Sequence, residues 1–223
     1  MTDITIYSAV VCPFAHRTRL ALLEKGIEFN LVEIDLQNKP ADFTDVSPYG
    51  KVPAIKHGNE RVWESAIINE YLEETFPEPP LLPKEPILRA QARIWIDFAN
   101  TRFVPAYSSL LRSPNLEQQQ AAAEELRNHL QFIENEAFAK LSKDGPYWFG
   151  ESISLVDLTY FPWFERWVAL KEYRGFQIPS ELTRLRQWKH ALKERDSVKA
   201  IANSKEFYLQ RYAKFAPLAA AAN

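Results

Sequence analysis

Pro77-Glu78-Pro79-Pro80-Leu81-Leu82-Pro83-Lys84-Glu85-Pro86 holds five prolines in ten positions, and its reading divides the chain. Proline lacks an amide donor and fixes φ, so neither a helix nor a central strand survives there. The stretch reads as an extended linker, with residues 79–86 joining a first domain over 1–78 to a longer one over 87–223. On the N-terminal side strand and helix signals alternate. On the C-terminal side the strand signal vanishes.

Before the linker, Ile4-Thr5-Ile6-Tyr7 is β-prone, and residues 14–25, rich in Ala, Leu and Arg, read as a helix stopped by Gly26. Residues 29–35 read as a second strand, which requires parallel pairing through a right-handed crossover. Residues 52–55 and 61–63 flank His57-Gly58-Asn59-Glu60, a hairpin signal. Ser65 is placed to cap a helix running to about Phe76, with Ile67, Ile68, Tyr71, Leu72 and Thr75 at helical spacing. The expected first domain is therefore α+β, βαβ followed by ββα. After the linker, residues 87–111, 117–141, 154–170 and 181–200 read as helices separated by Pro- or Gly-containing breaks, an all-α domain. Ala219 to Asn223 read as a frayed tail.

Composition narrows the function classes. Hydrophobic residues are 46% of the 223, enough for a sizeable core, and 27 Lys plus Arg against 29 Asp plus Glu give a net charge of −2. No basic surplus points to nucleic acid, although local basic patches remain open. There is no secretory signal pattern and no long apolar run, so no membrane partner is expected and a cytoplasmic, reducing compartment is the simplest reading. One cysteine precludes an internal disulfide framework or a multi-cysteine zinc site. His16, His57, His129 and His190 show no close metal-ligand spacing, and no metal is expected.

That cysteine, Cys12, falls between the first strand and the first helix and is followed by Pro13, a residue favoured in a helix's first turn. At the N-cap, backbone amides and the helix dipole stabilise thiolate over thiol. The competing reading is a buried inert cysteine. With no second cysteine in the chain, disulfide exchange through Cys12 requires an external thiol to complete the cycle, and glutathione is the abundant one.

Cys12-Pro13-Phe14-Ala15-His16-Arg17-Thr18-Arg19-Leu20 resembles the opening of omega-class glutathione transferases, with the lambda class close behind. The resemblance continues through Ile34-Asp35-Leu36-Gln37-Asn38-Lys39-Pro40, Ser47-Pro48-Tyr49-Gly50-Lys51-Val52-Pro53, Trp63-Glu64-Ser65-Ala66-Ile67 and Pro162-Trp163-Phe164-Glu165-Arg166, in family order. It implies the cytosolic glutathione transferase architecture, a thioredoxin-like domain followed by an all-α domain, and a homodimer. It also implies glutathione-dependent thiol transfer or dehydroascorbate reduction, with weak conventional conjugation.

By the resemblance, Cys12 forms a mixed disulfide with glutathione, and Val52 pairs its backbone with the cysteinyl part beside a cis Pro53. Glu64 and Ser65 hold the γ-glutamyl end, where the carboxylate suits an ammonium and a helix start suits a carboxylate. Lys39 lies near the glycyl carboxylate and Phe14 lines the thiol pocket. Phe103, Tyr107, Trp163, Arg166 and Trp167 are expected to wall the second substrate. Arg166 suits an anionic or enediol substrate such as dehydroascorbate, or else a salt bridge with acidic neighbours. Ser154-Leu155-Val156-Asp157 resembles the family's N-capping box and is read as structural.

His16 departs from the Glu or Gln common at its position and is expected on an exposed first turn, which leaves the exact class open. Tyr7 and Ser8 precede Cys12 and mimic the hydroxyl donors of conjugating classes, but the intact Cys-Pro-Phe favours Cys12. Two non-enzymatic alternatives share the fold: a starvation-type regulator and a chloride-intracellular-channel-like protein. The charges of Arg17, Arg19, Glu24, Lys25 and Glu28 argue against membrane insertion.

Overall fold

The computed structural model of the protein describes residues 3–216, so the Ala219–Asn223 tail lies outside the described residues. Two compact units emerge, Met1–Ala92 with Ser154–Pro162, and Arg93–Ile153 with Trp163–Asn223.

In the first unit, β1 (Ile4–Ser8), α1 (Pro13–Glu24) and β2 (Asn30–Glu33) form the parallel βαβ element. The β3 (Ala54–His57) and β4 (Glu60–Trp63) strands make a hairpin, and α2 (Ser65–Thr75) follows. The sheet has four strands in the order β2-β1-β3-β4, with Ile6 opposite Leu31 on one side and Ile55 on the other. Gly58 takes the positive φ of 60° that the two-residue hairpin loop needs. Ile4, Ile6 and Ser8 point into the core, whereas every residue of edge strand β2 is exposed.

Two local expectations are corrected here. Ser65 is not the cap of α2 but its first residue; the N-cap is Glu64, at φ 68° and ψ 114°. His16 is fully buried, its ring edge-on to Phe161 at 6.5 Å. Helix α1 is buried on all sides from Ala15 to Leu22, because Ser154–Pro162 supplies a second packing surface beyond the sheet.

A buried ion pair fastens the proline-rich segment. Lys25 Nζ lies 2.7 Å from Glu73 Oε2 and also donates to the carbonyls of Phe76 and Pro79 at 2.7 and 2.9 Å. Glu73 in turn accepts the amides of Leu81 and Leu82 at 2.9 and 3.0 Å. The end of α1, the end of α2 and the proline-rich segment thus share one satisfied network.

The structure is otherwise helical: α3 (Pro86–Phe98), α4 (Val104–Arg112), α5 (Leu116–Phe132), α6 (Ala139–Leu141), α7 (Leu155–Glu165), α8 (Trp167–Arg174), α9 (Thr183–Lys193), α10 (Asp196–Ile201) and α11 (Lys205–Tyr212). Each of the four long helices expected after the linker is interrupted. The first passes through a π-helical segment, Ala99–Phe103, just before Pro105, whose missing amide cannot continue the regular ladder. Phe138, Trp148, Phe164 and Trp188 centre the core of the second unit, with ring centroids 4.9 Å apart for Phe138–Trp148 and for Phe164–Trp188. At the start of α7, the Asp157 carboxylate accepts both the amide and the hydroxyl of Ser154 at 2.7 and 2.6 Å, a structural role. No described helix is long and apolar enough to cross a membrane.

Candidate active site

Cys12 is the N-cap of α1, with Pro13 at the helix start. Its extended backbone (φ −84°, ψ 117°) and the hydrogen bond that its N–H donates to the Ala9 carbonyl at 2.9 Å turn the chain sharply from β1 into the helix. The Cys12 carbonyl accepts the first helical bond from His16 at 3.0 Å. A helix start concentrates amides that have no acceptor within the helix, and with them the positive end of the dipole. The sulfur therefore sits where negative charge is favoured.

A second positive influence comes from within the same helix. Arg17 is 1% exposed; its Nε donates to the Thr159 carbonyl at 2.8 Å and its guanidinium lies 5.0 Å from the Phe14 ring centroid. Burial pulls the guanidinium down to about 9, while Tyr160 and Cys12 push it back up. It therefore stays protonated at neutral pH, a desolvated cation whose charge acts on Cys12. Burial also drives the Tyr160 hydroxyl well above 10, against the pull of Arg17. Opposing these effects, Cys12 Sγ donates to the Val52 carbonyl at 3.6 Å, a contact that favours the thiol. A thiol is a weak donor, so that contact is a weak one.

Val52–Pro53 is a cis peptide and leads into β3. Around it a cavity of about 130 Å³ is bounded by Phe14, Val52, Pro53, Glu64 and Ser65, five of the residues singled out from the sequence. Ser47, Tyr49, Lys51 and Trp63 complete the wall, and sequence reasoning gave them no role. Ser47 pins the loop: its hydroxyl donates to the Lys51 carbonyl at 2.7 Å and accepts the Lys51 amide at 3.1 Å. Lys39 does not line the cavity; its ammonium donates to the Gly50 carbonyl at 2.7 Å. Glu64 holds a left-handed backbone that a non-glycine residue adopts only at a cost of about 1–3 kcal/mol. Glu64 lines the cavity as the residue that precedes α2.

The other candidates lie in the helical unit and are buried. Phe103 stacks on Phe164 at 5.5 Å, and the Tyr107 hydroxyl donates to the Arg166 carbonyl at 3.0 Å. Trp163 and Trp167 are 2% and 4% exposed, so both contribute mainly to the core. Arg166 is fully buried, 3.8 Å from the Glu165 carboxylate and over the Tyr208 ring at 4.8 Å, which corresponds to the salt-bridge alternative. No group of three or more His, Cys, Asp and Glu among the described residues is placed to hold a metal.

Residues 11–75 match the model of the glutathione S-transferase N-terminal domain, and residues 116–188 match that of the C-terminal domain. Glutathione S-transferase U19 of Arabidopsis thaliana is 32% identical over 210 residues, 92% of this chain and 93% of that protein. The structure of glutathione transferase Omega 3C from Trametes versicolor superposes with a TM-score of 0.86 at 32% identity, covering 96% of this chain and 91% of the other. Dehydroascorbate reductase from Chlamydomonas reinhardtii superposes with a TM-score of 0.79 at 26% identity, covering 96% and 98%.

Proposed function

Because the chain belongs to the glutathione S-transferase family, with glutathione as co-substrate, we propose that it works by thiol transfer through Cys12. The observation that carries this reading is Cys12 at the N-cap of α1 under the charge of buried Arg17. Conjugating sites use a hydroxyl to hold a glutathione thiolate; here a sulfur occupies the helix start.

Glutathione lies extended along the cavity, its cysteinyl backbone paired with Val52, its ammonium on Glu64 and its γ-glutamyl carboxylate at the start of α2 by Ser65. Phe14 and Pro53 flank the thiol, and Lys39 stands near the glycyl end. The Cys12 thiolate attacks the glutathionyl sulfur of a mixed disulfide. The Cys12–glutathione bond forms, the substrate's S–S bond breaks, and the substrate thiolate leaves and takes a proton from solvent. A second glutathione thiolate then attacks the glutathionyl sulfur, releasing oxidised glutathione and restoring the Cys12 thiolate. With dehydroascorbate, the two glutathiones supply two electrons and two protons, giving ascorbate and oxidised glutathione. The dehydroascorbate reductase and omega-class neighbours support this substrate range. Phe103, Tyr107, Trp163, Arg166 and Trp167 shape the second-substrate region from the helical core, and the working unit is a cytoplasmic homodimer.

The test compares glutathione-dependent reduction of a small disulfide and of dehydroascorbate with conjugation of an aromatic chloride. Reduction should exceed conjugation by at least about 100-fold in kcat/KM; the opposite ranking would sink the thiol-transfer reading.

Two substitutions probe the parts. Arg17→Met should move the alkylation of Cys12 to higher pH, because the thiolate loses its buried counter-charge. Arg17→Lys should restore part of the shift. The check is the pH dependence of iodoacetamide alkylation, and identical profiles for wild type and Arg17→Met would remove Arg17 from the account. Glu64→Gly relieves the left-handed backbone but removes the carboxylate. It should leave stability within about 1 kcal/mol or raise it, while raising the KM for glutathione about 10-fold or more. An unchanged KM would mean Glu64 does not hold the ammonium.

A further inference from the structure

The helical unit contains a second, larger cavity of about 620 Å³ between the start of α8, the segment after Gly175 and the length of α9. It lies on a different set of residues from the glutathione cavity. Arg186, Lys189, His190 and Lys193 are spaced i, i+3, i+4 and i+7 along α9, so they share one helix face, and Lys171 of α8 lines the same cavity. Glu181 is the single acidic residue in the lining.

Surface lysines normally stand apart or pair with carboxylates. Among the described residues, Lys171, Arg186, Lys189 and Lys193 form no ion pair, whereas Lys199 on α10 pairs with Glu194 at 3.0 Å. Like charges at i, i+3 and i+4 each cost a helix a few tenths of a kcal/mol. The repulsion registers on Lys189, whose ammonium burial, Lys193 and Arg186 together bring down to about 8. Nothing in the fold requires this crowding, because α9 is already held at its start by the Glu134 carboxylate, which accepts the amides of Arg184 and Leu185 at 2.9 and 2.8 Å.

The dimensions define what would relieve it. Arg186 to Lys193 spans about 10 Å along the helix at about 1.5 Å per residue, too far for one phosphate or carboxylate to neutralise. Cavities of a few hundred to about 1,000 Å³ take small organic molecules. Ile178 and Pro179 add an apolar lip, with the Trp167 ring forming the wall behind.

We propose that this cavity binds a small organic polyphosphate, its phosphate chain lying along Arg186, Lys189 and Lys193 and its organic body against Ile178 and Pro179. The ligand is thus of nucleoside-triphosphate size and charge, and its site shares no lining residue with the glutathione cavity.

The test is calorimetric titration of the full chain with ATP and, separately, with inorganic tripolyphosphate, at low and at moderate salt. ATP should bind one per chain, at least about fivefold tighter than tripolyphosphate, and more weakly as salt rises. Lys189→Met with Lys193→Met should weaken ATP binding at least about 10-fold, while Lys199→Met leaves it unchanged. Retained thiol transfer and an unchanged circular dichroism spectrum would show that the double variant is folded. Failure of ATP to bind, or equal binding to wild type and double variant, overturns the site. Equal affinity for ATP and tripolyphosphate overturns the role given to the apolar lip. Because thiol transfer is read separately, its loss in the wild type would count against the Cys12 mechanism and not against this site.

Discussion

Cys12→Ser should lower glutathione-dependent reduction of a small disulfide by at least about 10³-fold, with little change in fold. A serine hydroxyl is not ionised near neutral pH and cannot form the mixed disulfide, so both half-reactions lose their nucleophile. The lining of the glutathione cavity comes from Phe14 of α1, the loop before β3, the end of β4 and the start of α2, and does not include the sulfur. Glutathione should therefore still bind, and kcat should fall far more than KM rises. The substitution also creates a hydroxyl at a helix start, so a small gain in conjugation of aromatic electrophiles is expected. Steady-state kinetics with both substrate types separates these effects. Retention of more than about a tenth of the thiol-transfer rate would require another nucleophile, and the chain has no second cysteine.

Glu73→Gln should cost about 3–5 kcal/mol of stability, the largest effect expected of any single change away from Cys12. Glu73 is 4% exposed, and its carboxylate answers Lys25 and the amides of Leu81 and Leu82. An amide in its place leaves the buried Lys25 ammonium without its counter-charge and offers one acceptor oxygen where two are used. Lys25→Met together with Glu73→Leu should recover only part of the loss: both charges and their desolvation penalty go, but the Leu81 and Leu82 amides and the Phe76 and Pro79 carbonyls lose these partners. Urea unfolding of the single and double variants measures the difference. A Glu73→Gln loss below about 1 kcal/mol would mean that the network is incidental to the linker's conformation.

The architecture was legible because its signals are local. Short alternating elements and a two-residue hairpin loop each announce themselves within about ten residues. The place of Cys12 at the start of α1 is legible for the same reason: strand, cysteine, proline and helix are adjacent in sequence. His16 was misplaced because a helix covered on two sides has no single apolar face for periodicity to reveal. Arg17, in that same helix, gained its role only from Thr159 and Tyr160, far along the chain. The Lys25–Glu73 network was equally invisible, since one charge ends α1 and the other sits in α2. Glu64 was read as a ligand residue, but its left-handed backbone, which displaces Ser65 from the cap, carries no local signature such as glycine. The basic face of α9 is legible in the spacing of residues 186, 189, 190 and 193, although the chain's net charge of −2 gives no sign of it.

The most direct test of the central claim is the intact mass of wild type and Cys12→Ser after incubation with oxidised glutathione. The account predicts one glutathionyl adduct on wild type, none on the variant, and release of the adduct by fresh reduced glutathione at a rate compatible with turnover. Absence of the adduct from wild type, or an equal adduct on the variant, would contradict thiol transfer through Cys12.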